Sequence, residues 1–363
     1  MPFPTPWSAG TTFPMDDEEF QPSEFYPPSA DTMASPTVQP EFTVMYDGPY
    51  PHCSDESKTT SANKWFRRFK DLVFPMLPRK HQQFPVKIAV LDTGIEFSRF
   101  SERECRRIRD AKSFVPNEDW TDREGHGTQV TSLLLDVAYN AHIYVARVLG
   151  ESNLNEPAQI IADAIRYATD TWKVDIINMS FSFDFDQGVI SDAIKHAYVA
   201  NVLMFAAARN DGGNFGVAFP ARHKDVICIS ATDGDGIASS FSPPVFDPGD
   251  NFATLGEGLM LHSLEGDLIS MDGTSYATPI AVSMASLVLE YVRENFPDGK
   301  KDEVERWLKG SPDGMRAALN LMSHKRNDHR YIAPWKLFDA REEEDNVYIR
   351  LMFALKNPDF WSH

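Results

Sequence analysis

Cysteine is scarce in this sequence: three among 363 residues, Cys53, Cys105 and Cys228. Three cannot all pair with one another, and no CxxC spacing offers a metal knuckle, so neither a disulfide framework nor a zinc ribbon organises the chain. Long apolar runs are missing too. Nothing uninterrupted approaches the roughly 20 residues that cross a bilayer. The N-terminus, Met-Pro-Phe-Pro-Thr-Pro-Trp, lacks the basic start and apolar core of a secretory signal, so the expected location is cytoplasmic. Positive charge is outnumbered, 35 Lys and Arg against 53 Asp and Glu, for a net −18. That balance argues against nucleic acid or an anionic membrane surface as partner. HExxH and G-x-S-x-G are absent, which removes the usual zinc-hydrolase and α/β-hydrolase signatures.

What is present falls into four stretches. Residues 1–60 are rich in Pro, Ser and acid, with the run Asp16-Asp17-Glu18-Glu19 and the pair Pro27-Pro28, and read as a disordered arm open to a regulatory partner. Residues 61–83 turn basic and amphipathic: Trp65, Phe66, Phe69, Leu72 and Val73 recur at helical spacing. This is expected to be a short helix laid against the main domain and ended by Pro75. Residues 84–335 alternate apolar strands with helical patterns, and residues 336–363 form a tail. Strands are expected at 86–91, 142–148, 174–179, 202–207 and 226–230. Helices are expected at 128–138, 156–171, 190–200, 279–294 and 301–308. Near-continuous apolar strands separated by helices imply an α/β domain with a mostly parallel sheet buried on both faces.

Three polar motifs interrupt this pattern at element ends. Asp92 follows the first strand in AVLDTGI, at the sheet edge where open α/β folds place their sites. His126 stands between two glycines in GHGT, where a helix begins. Ser275 lies in GTSYATP, directly before the apolar helix from Pro279. An acid to orient a base, a base to take a proton, and a hydroxyl at a helix start with free N–H groups nearby are the parts of nucleophilic acyl transfer. Each alone reads equally as a turn residue, a capped histidine and an N-cap.

Together they resemble the three signatures of the subtilisin-like serine peptidases, in the chain order Asp, His, Ser that is established for subtilisin. Ile177-Asn178-Met179-Ser180 is similar to the family's substrate-binding strand. Residues 206–213, AAARNDGG, are similar to its oxyanion loop, with further agreement at Phe219-Pro220-Ala221 and Ser240-Phe241-Ser242. The resemblance covers about residues 84 to 295. It implies a three-layer α/β/α subtilisin-like fold. It also implies serine endopeptidase activity on protein or peptide substrates through Asp92, His126 and Ser275, with Asn210 in the oxyanion hole and no cofactor. Ser180, Phe181, Ser182 and Arg209 take substrate-binding positions by the same resemblance. Residues 314–322 and 331–338 resemble fungal intracellular members.

Departures from the family pattern carry their own expectations. Where the family strand usually continues from Asn-Met-Ser into Leu-Gly-Gly, this chain has Phe181-Ser182-Phe183, and Ser182 and Phe183 in place of the glycines are expected to narrow or reshape the cleft. Arg209 stands where a small residue is common. Pointing into the primary pocket it favours an acidic side chain before the cut; pointing away it forms a surface ion pair. The connection after the His126 helix is too short for the family's calcium loop, and Asp233 with Asp235 read as a solvated turn rather than a calcium site. Residues 1–83 resemble neither a signal nor an inhibitory propeptide, so control of activity is expected by another route, either the arm lying over the cleft or partner domains in a longer parent protein. Two other readings stay open: a silent binding module on the same fold, and a transpeptidase or macrocyclase that resolves the same acyl-enzyme with an amine.

Overall fold

The computed structural model describes residues 56–77, 85–150, 157–212, 216–244, 252–326, 328–342 and 345–357. Most of the Pro-rich acidic arm, with Cys53, lies outside the described residues.

Among them, nine strands form one sheet: β1 (Lys87–Asp92), β2 (Ile108–Ser113), β3 (His142–Arg147), β4 (Ile176–Met179), β5 (Leu203–Ala207), β6 (Ile227–Thr232), β7 (Phe252–Leu255), β10 (Ser323–Arg326) and β11 (His329–Ile332). A hairpin of β8 (Leu259–His262) and β9 (Leu268–Met271) stands apart. The spatial order is β10-β11-β7-β6-β5-β4-β1-β3-β2, parallel throughout except for the terminal β10–β11 pair. The chain runs from β1 out to β2 and β3 on one side, then crosses to β4 on the other. That reversal beside β1 opens a crevice at the carboxyl edge of the sheet.

Strand periodicity sorts side chains between two cores. Ile88 and Val90 of β1, Ile176 of β4 and Phe205 of β5 lie in the cluster under α3 (His126–Val137) and α6 (Thr274–Asn295). Ala89, Leu91, Ile177, Met179 and Met204 lie in the opposite cluster, under α4 (Pro157–Tyr167) and α5 (Gly188–Val199). The three-layer α/β/α arrangement follows from that parity. The shorter α2 (Glu102–Cys105), then α7 (Asp298–Lys309), α8 (Pro312–Leu321) and α9 (Asp345–Lys356) complete the helices. No helix among the described residues is long and apolar enough to cross a membrane.

The segment before β1 is more firmly built in than its sequence suggests. Helix α1 (Glu56–Arg68) begins five residues before the expected boundary at 61 and continues as a π-helical turn, Phe69–Val73. Trp65 is 1% exposed. Its ring stacks on Phe69 at 5.6 Å and meets Trp335 edge-on at 5.7 Å. Val73 is buried in the same core as α3 and α6. The apolar stripe at helical spacing is therefore a core element.

Helices α3 and α6 also share a polar contact in this core. Arg107 donates to the carbonyls of Leu135, Ala138 and Ala141, so a guanidinium covers the negative end of α3. Facing it from α6 is Glu290, fully buried, which accepts from Ser286 Oγ at 3.0 Å and Asn140 Nδ2 at 3.4 Å. Burial pushes the Glu290 carboxyl up to about 7, against the pull of those donors and of Arg107 and Arg293. The folded state thus holds a proton that the unfolded chain releases near the ordinary value of 4.5. Stability from this group is complete below that ordinary value and is lost as pH rises through about 7. Glu290→Gln should therefore flatten the fall in melting temperature across that window; an unchanged profile counts against a neutral Glu290.

Candidate active site

Asp92 ends β1 on the same strand face as Ile88 and Val90, the face covered by α3 and α6. A carboxylate at the sheet edge is thereby turned toward the N-termini of two helices. It is fully buried, and its Oδ1 meets His126 Nδ1 at 2.7 Å and the Thr93 N–H at 2.8 Å.

His126 is the first residue of α3, two positions earlier than the sequence pattern indicates, because the helix is capped from a distance. Gly125 supplies the left-handed cap at φ 95° but offers no side chain. The buried Asp122 carboxylate does the capping. Its Oδ1 accepts from the N–H groups of Glu124 and Gly125, and its Oδ2 from Thr128 N–H at 2.9 Å and Thr128 Oγ at 2.6 Å. Thr93 Oγ donates to Asp122 Oδ1 and accepts from Gly127 N–H, both at 2.9 Å. The residue after Asp92 and the residue after His126 are thus joined through one hydroxyl. Sequence reading missed both Asp122 and Thr93. The available signal was an acidic residue within one turn before an uncapped helix start.

The close approach also demands glycine. A Cβ on Gly127 would stand 2.4 Å from Gly94 O and 3.2 Å from Asp92 Cβ. Here the motif glycines serve contact between β1's exit and α3 rather than a tight turn alone.

Ser275 lies inside the first turn of α6, which begins at Thr274 and carries Pro279 within it. Proline has no N–H to give the carbonyl four residues back, which is that of Ser275. Ser180 Oγ takes its place, donating to Ser275 O at 3.0 Å, while Asn178 Nδ2 donates to Ser180 Oγ at 3.1 Å. Ser275 is fully buried, and its Oγ makes no hydrogen bond among the described residues. The next residue, Tyr276, puts its ring 5.4 Å from the His126 ring and donates its hydroxyl to Gln129 Oε1 at 2.8 Å. Helices α3 and α6 are therefore clasped at the ends that bear His126 and Ser275.

Asn210 is held by the same helix start: Thr274 N–H and Thr274 Oγ both donate to its Oδ1 at 2.9 Å. With the oxygen so engaged, the Nδ2 donor points away from Thr274. Thr274 was not singled out in the sequence, although its place before Ser275 in a Gly-Thr-Ser turn was visible.

Of the four positions expected to bind substrate, the three that follow β4 divide by parity. Ser180 is buried against α6 and supports the Ser275 carbonyl. Phe181, one residue on, turns to the opposite face and is fully buried in the α4–α5 core. Its side chain is a packing residue there, so any part it takes at a substrate-binding position falls to its backbone. Phe183 follows the same parity at 2% exposed, and Ser182 is 3% exposed. Arg209 meets Asp184 at 2.7 Å and Asp211 at 2.5 Å, the ion-pair alternative. An acidic substrate side chain would compete there with two resident carboxylates. Asp233 Oδ1 accepts from the N–H groups of Asp235 and Ile237, closing its own turn. Among the described residues no cluster of His, Cys, Asp and Glu suited to a metal ion is found.

The profile of the Subtilase family matches residues 85–322, well over half of the chain. The chain is 33% identical over 242 residues to the subtilisin-like protease het-Q2 of Podospora anserina, covering 61% of this chain and 65% of that protein. It is 32% identical over 237 residues to alkaline elastase YaB of Bacillus sp., covering 62% and 59%. Its match thus spans less than two thirds of the length of either relative. Subtilisin Savinase of Lederbergia lenta is 30% identical, with 62% of this chain and 82% of that protein covered. In three dimensions the chain superposes on the nisin leader peptidase NisP of Lactococcus lactis with a TM-score of 0.57 at 18% identity, covering 73% of this chain and 89% of that one. That likeness speaks for the fold.

Substituting Gly127→Ala drives a methyl into the Gly94 carbonyl. It should cost about 1–3 kcal/mol of stability and lengthen the His126–Asp92 contact. The low-field imidazole N–H resonance in proton NMR reads that contact; its persistence at the parent position would show that the spacing does not depend on glycine.

Proposed function

We propose that this chain, which belongs to the subtilase family of serine peptidases, is an endopeptidase that cuts protein or peptide substrates with Asp92, His126 and Ser275. The observation that carries this reading is the 2.7 Å contact of Asp92 Oδ1 with His126 Nδ1, at the helix end clasped to the start of α6. A carboxylate only accepts, so Nδ1 carries the hydrogen, and in the neutral imidazole Nε2 is then the atom with the free lone pair.

In this mechanism Ser275 Oγ attacks the scissile carbonyl as His126 Nε2 takes its proton, and Asp92 stabilises the imidazolium. The tetrahedral oxyanion is met by the Ser275 N–H, one of the orphan donors at the start of α6, and by Asn210 Nδ2. The Asn210 donor is pre-set, because Thr274 holds the amide by its oxygen. The imidazolium returns the proton to the leaving amine, and water then resolves the acyl-enzyme by the same steps.

A fluorophosphonate probe tests the nucleophile. Wild-type protein should label and Ser275→Ala should not. A folded wild-type protein that stays unlabelled would turn the reading toward a binding module on a peptidase fold. Asn210→Ala should lower turnover about 10²–10³-fold, the general figure for one oxyanion donor in enzymes of this type. Unchanged turnover would remove Asn210 from that role.

A further inference from the structure

Helix α1 precedes the region matched by the Subtilase family profile, which begins at residue 85. Yet its first turn reaches the loop that delivers the nucleophile. Lys58 Nζ lies 2.5 Å from Glu257 Oε2 and 3.8 Å from Asp272 Oδ2. Glu257 sits in the turn between β7 and β8 and is 5% exposed. Asp272 stands three residues before Ser275.

These two segments are already in contact. Gly273 N–H donates to Gly256 O at 2.7 Å, and Gly258 N–H donates to Asp272 Oδ1 at 2.6 Å. A Cβ on Gly256 would stand 2.7 Å from Gly273 O. Nothing but glycine fits between them, and both neighbouring side chains are acids. Without a cation, Glu257 and Asp272 repel across this joint, and Glu257 is buried with its charge unpaired.

The helix is seated there by backbone as well. Gly258, at φ 68°, lets the Lys58 carbonyl carbon approach to 2.4 Å from where a Cβ would be. Gly234 does the same for Ser61 O and donates its N–H to Ser61 Oγ at 3.1 Å. Lys58 is thereby fixed at one end, with an ammonium that reaches one carboxylate on the β7–β8 turn and one on the loop that leads into Ser275.

We propose that Lys58 is a positioning residue for the reaction: its ammonium holds the turn at 256–258 and the loop at 272–273 together, and so fixes Ser275 and its N–H. The role rests on the peptidase reading above. It also makes the segment before β1 a permanent part of the site. A cut after residue 60, which the arm-over-cleft expectation invites, would remove Lys58 and lower activity instead of raising it.

The test compares the full-length parent with Lys58→Met and Lys58→Arg. Fluorophosphonate labelling is split into a maximal rate and a half-saturating concentration, and hydrogen exchange is followed by mass spectrometry. In Lys58→Met the maximal labelling rate should fall about tenfold, below the ~10² that a 1 Å misplacement costs. The half-saturating concentration should hold, and Lys58→Arg should recover most of the rate. Exchange should quicken in peptides covering 256–276 and not in α4 or α5. A maximal rate within twofold of the parent, or unchanged exchange at 256–276, overturns the proposal. If Lys58→Met folds poorly, Lys58→Met/Glu257→Gln removes the buried charge along with its partner. A rate still depressed supports positioning, and a rate restored to the parent's overturns it. A parent that exchanges normally but never labels fails the peptidase reading, while the exchange comparison still decides the role of Lys58.

Discussion

The Asp122 carboxylate accepts hydrogens from Thr93, Glu124, Gly125 and Thr128, and the placing of His126 follows from those bonds. It is 2% exposed, so its charge is held in the interior by backbone N–H groups and hydroxyls instead of water. One such group does two things. It satisfies the orphan donors that begin α3, and through Thr93 it ties that helix to the strand that ends in Asp92. The imidazole is carried by the first residue of the helix, so moving the cap moves the base.

The same economy appears at α6. A proline inside the helix leaves the Ser275 carbonyl without its usual partner, and Ser180 from the end of β4 fills that place. The nucleophile's backbone is thereby fastened to the sheet. Thr274 turns Asn210 by its oxygen, and Tyr276 joins α6 to α3 through Gln129. Three consecutive residues, Thr274 to Tyr276, each answer to a different part of the fold. The helix start is held by links to a loop, to the sheet edge and to a neighbouring helix.

Charge that looks functional in one dimension is often internal bookkeeping in three. Arg209, beside Asn210, is taken up by Asp184 and Asp211. Arg147, fully buried on β3 beside Asp92, spends its guanidinium on Glu118 and on the carbonyls of Asp119, Thr121 and Leu149. That loop leads into Asp122. A net charge of −18 therefore coexists with cations that are committed to holding loops.

The sequence by itself determined the five strands from β1 through β3, β4 and β5 to β6, the helices between them, the mostly parallel character of the sheet and the three motifs that hold Asp92, His126 and Ser275. These are local matters: apolar runs of strand length, helical spacing, and glycines flanking a polar residue. Strand parity was legible as well, and applied to the stretch from Ile176 to Phe183 it assigns Phe181 to the core, which a likeness of motif alone did not. Only the tertiary structure decided that Thr93 joins Asp122 to the start of α3, that Ser180 stands in for the N–H missing at Pro279, and that Lys58 reaches Glu257 across some two hundred residues of chain. Each of these joins groups far apart in sequence. Hydrogen-bond satisfaction is set by what surrounds a buried group, and local pattern does not encode that surrounding.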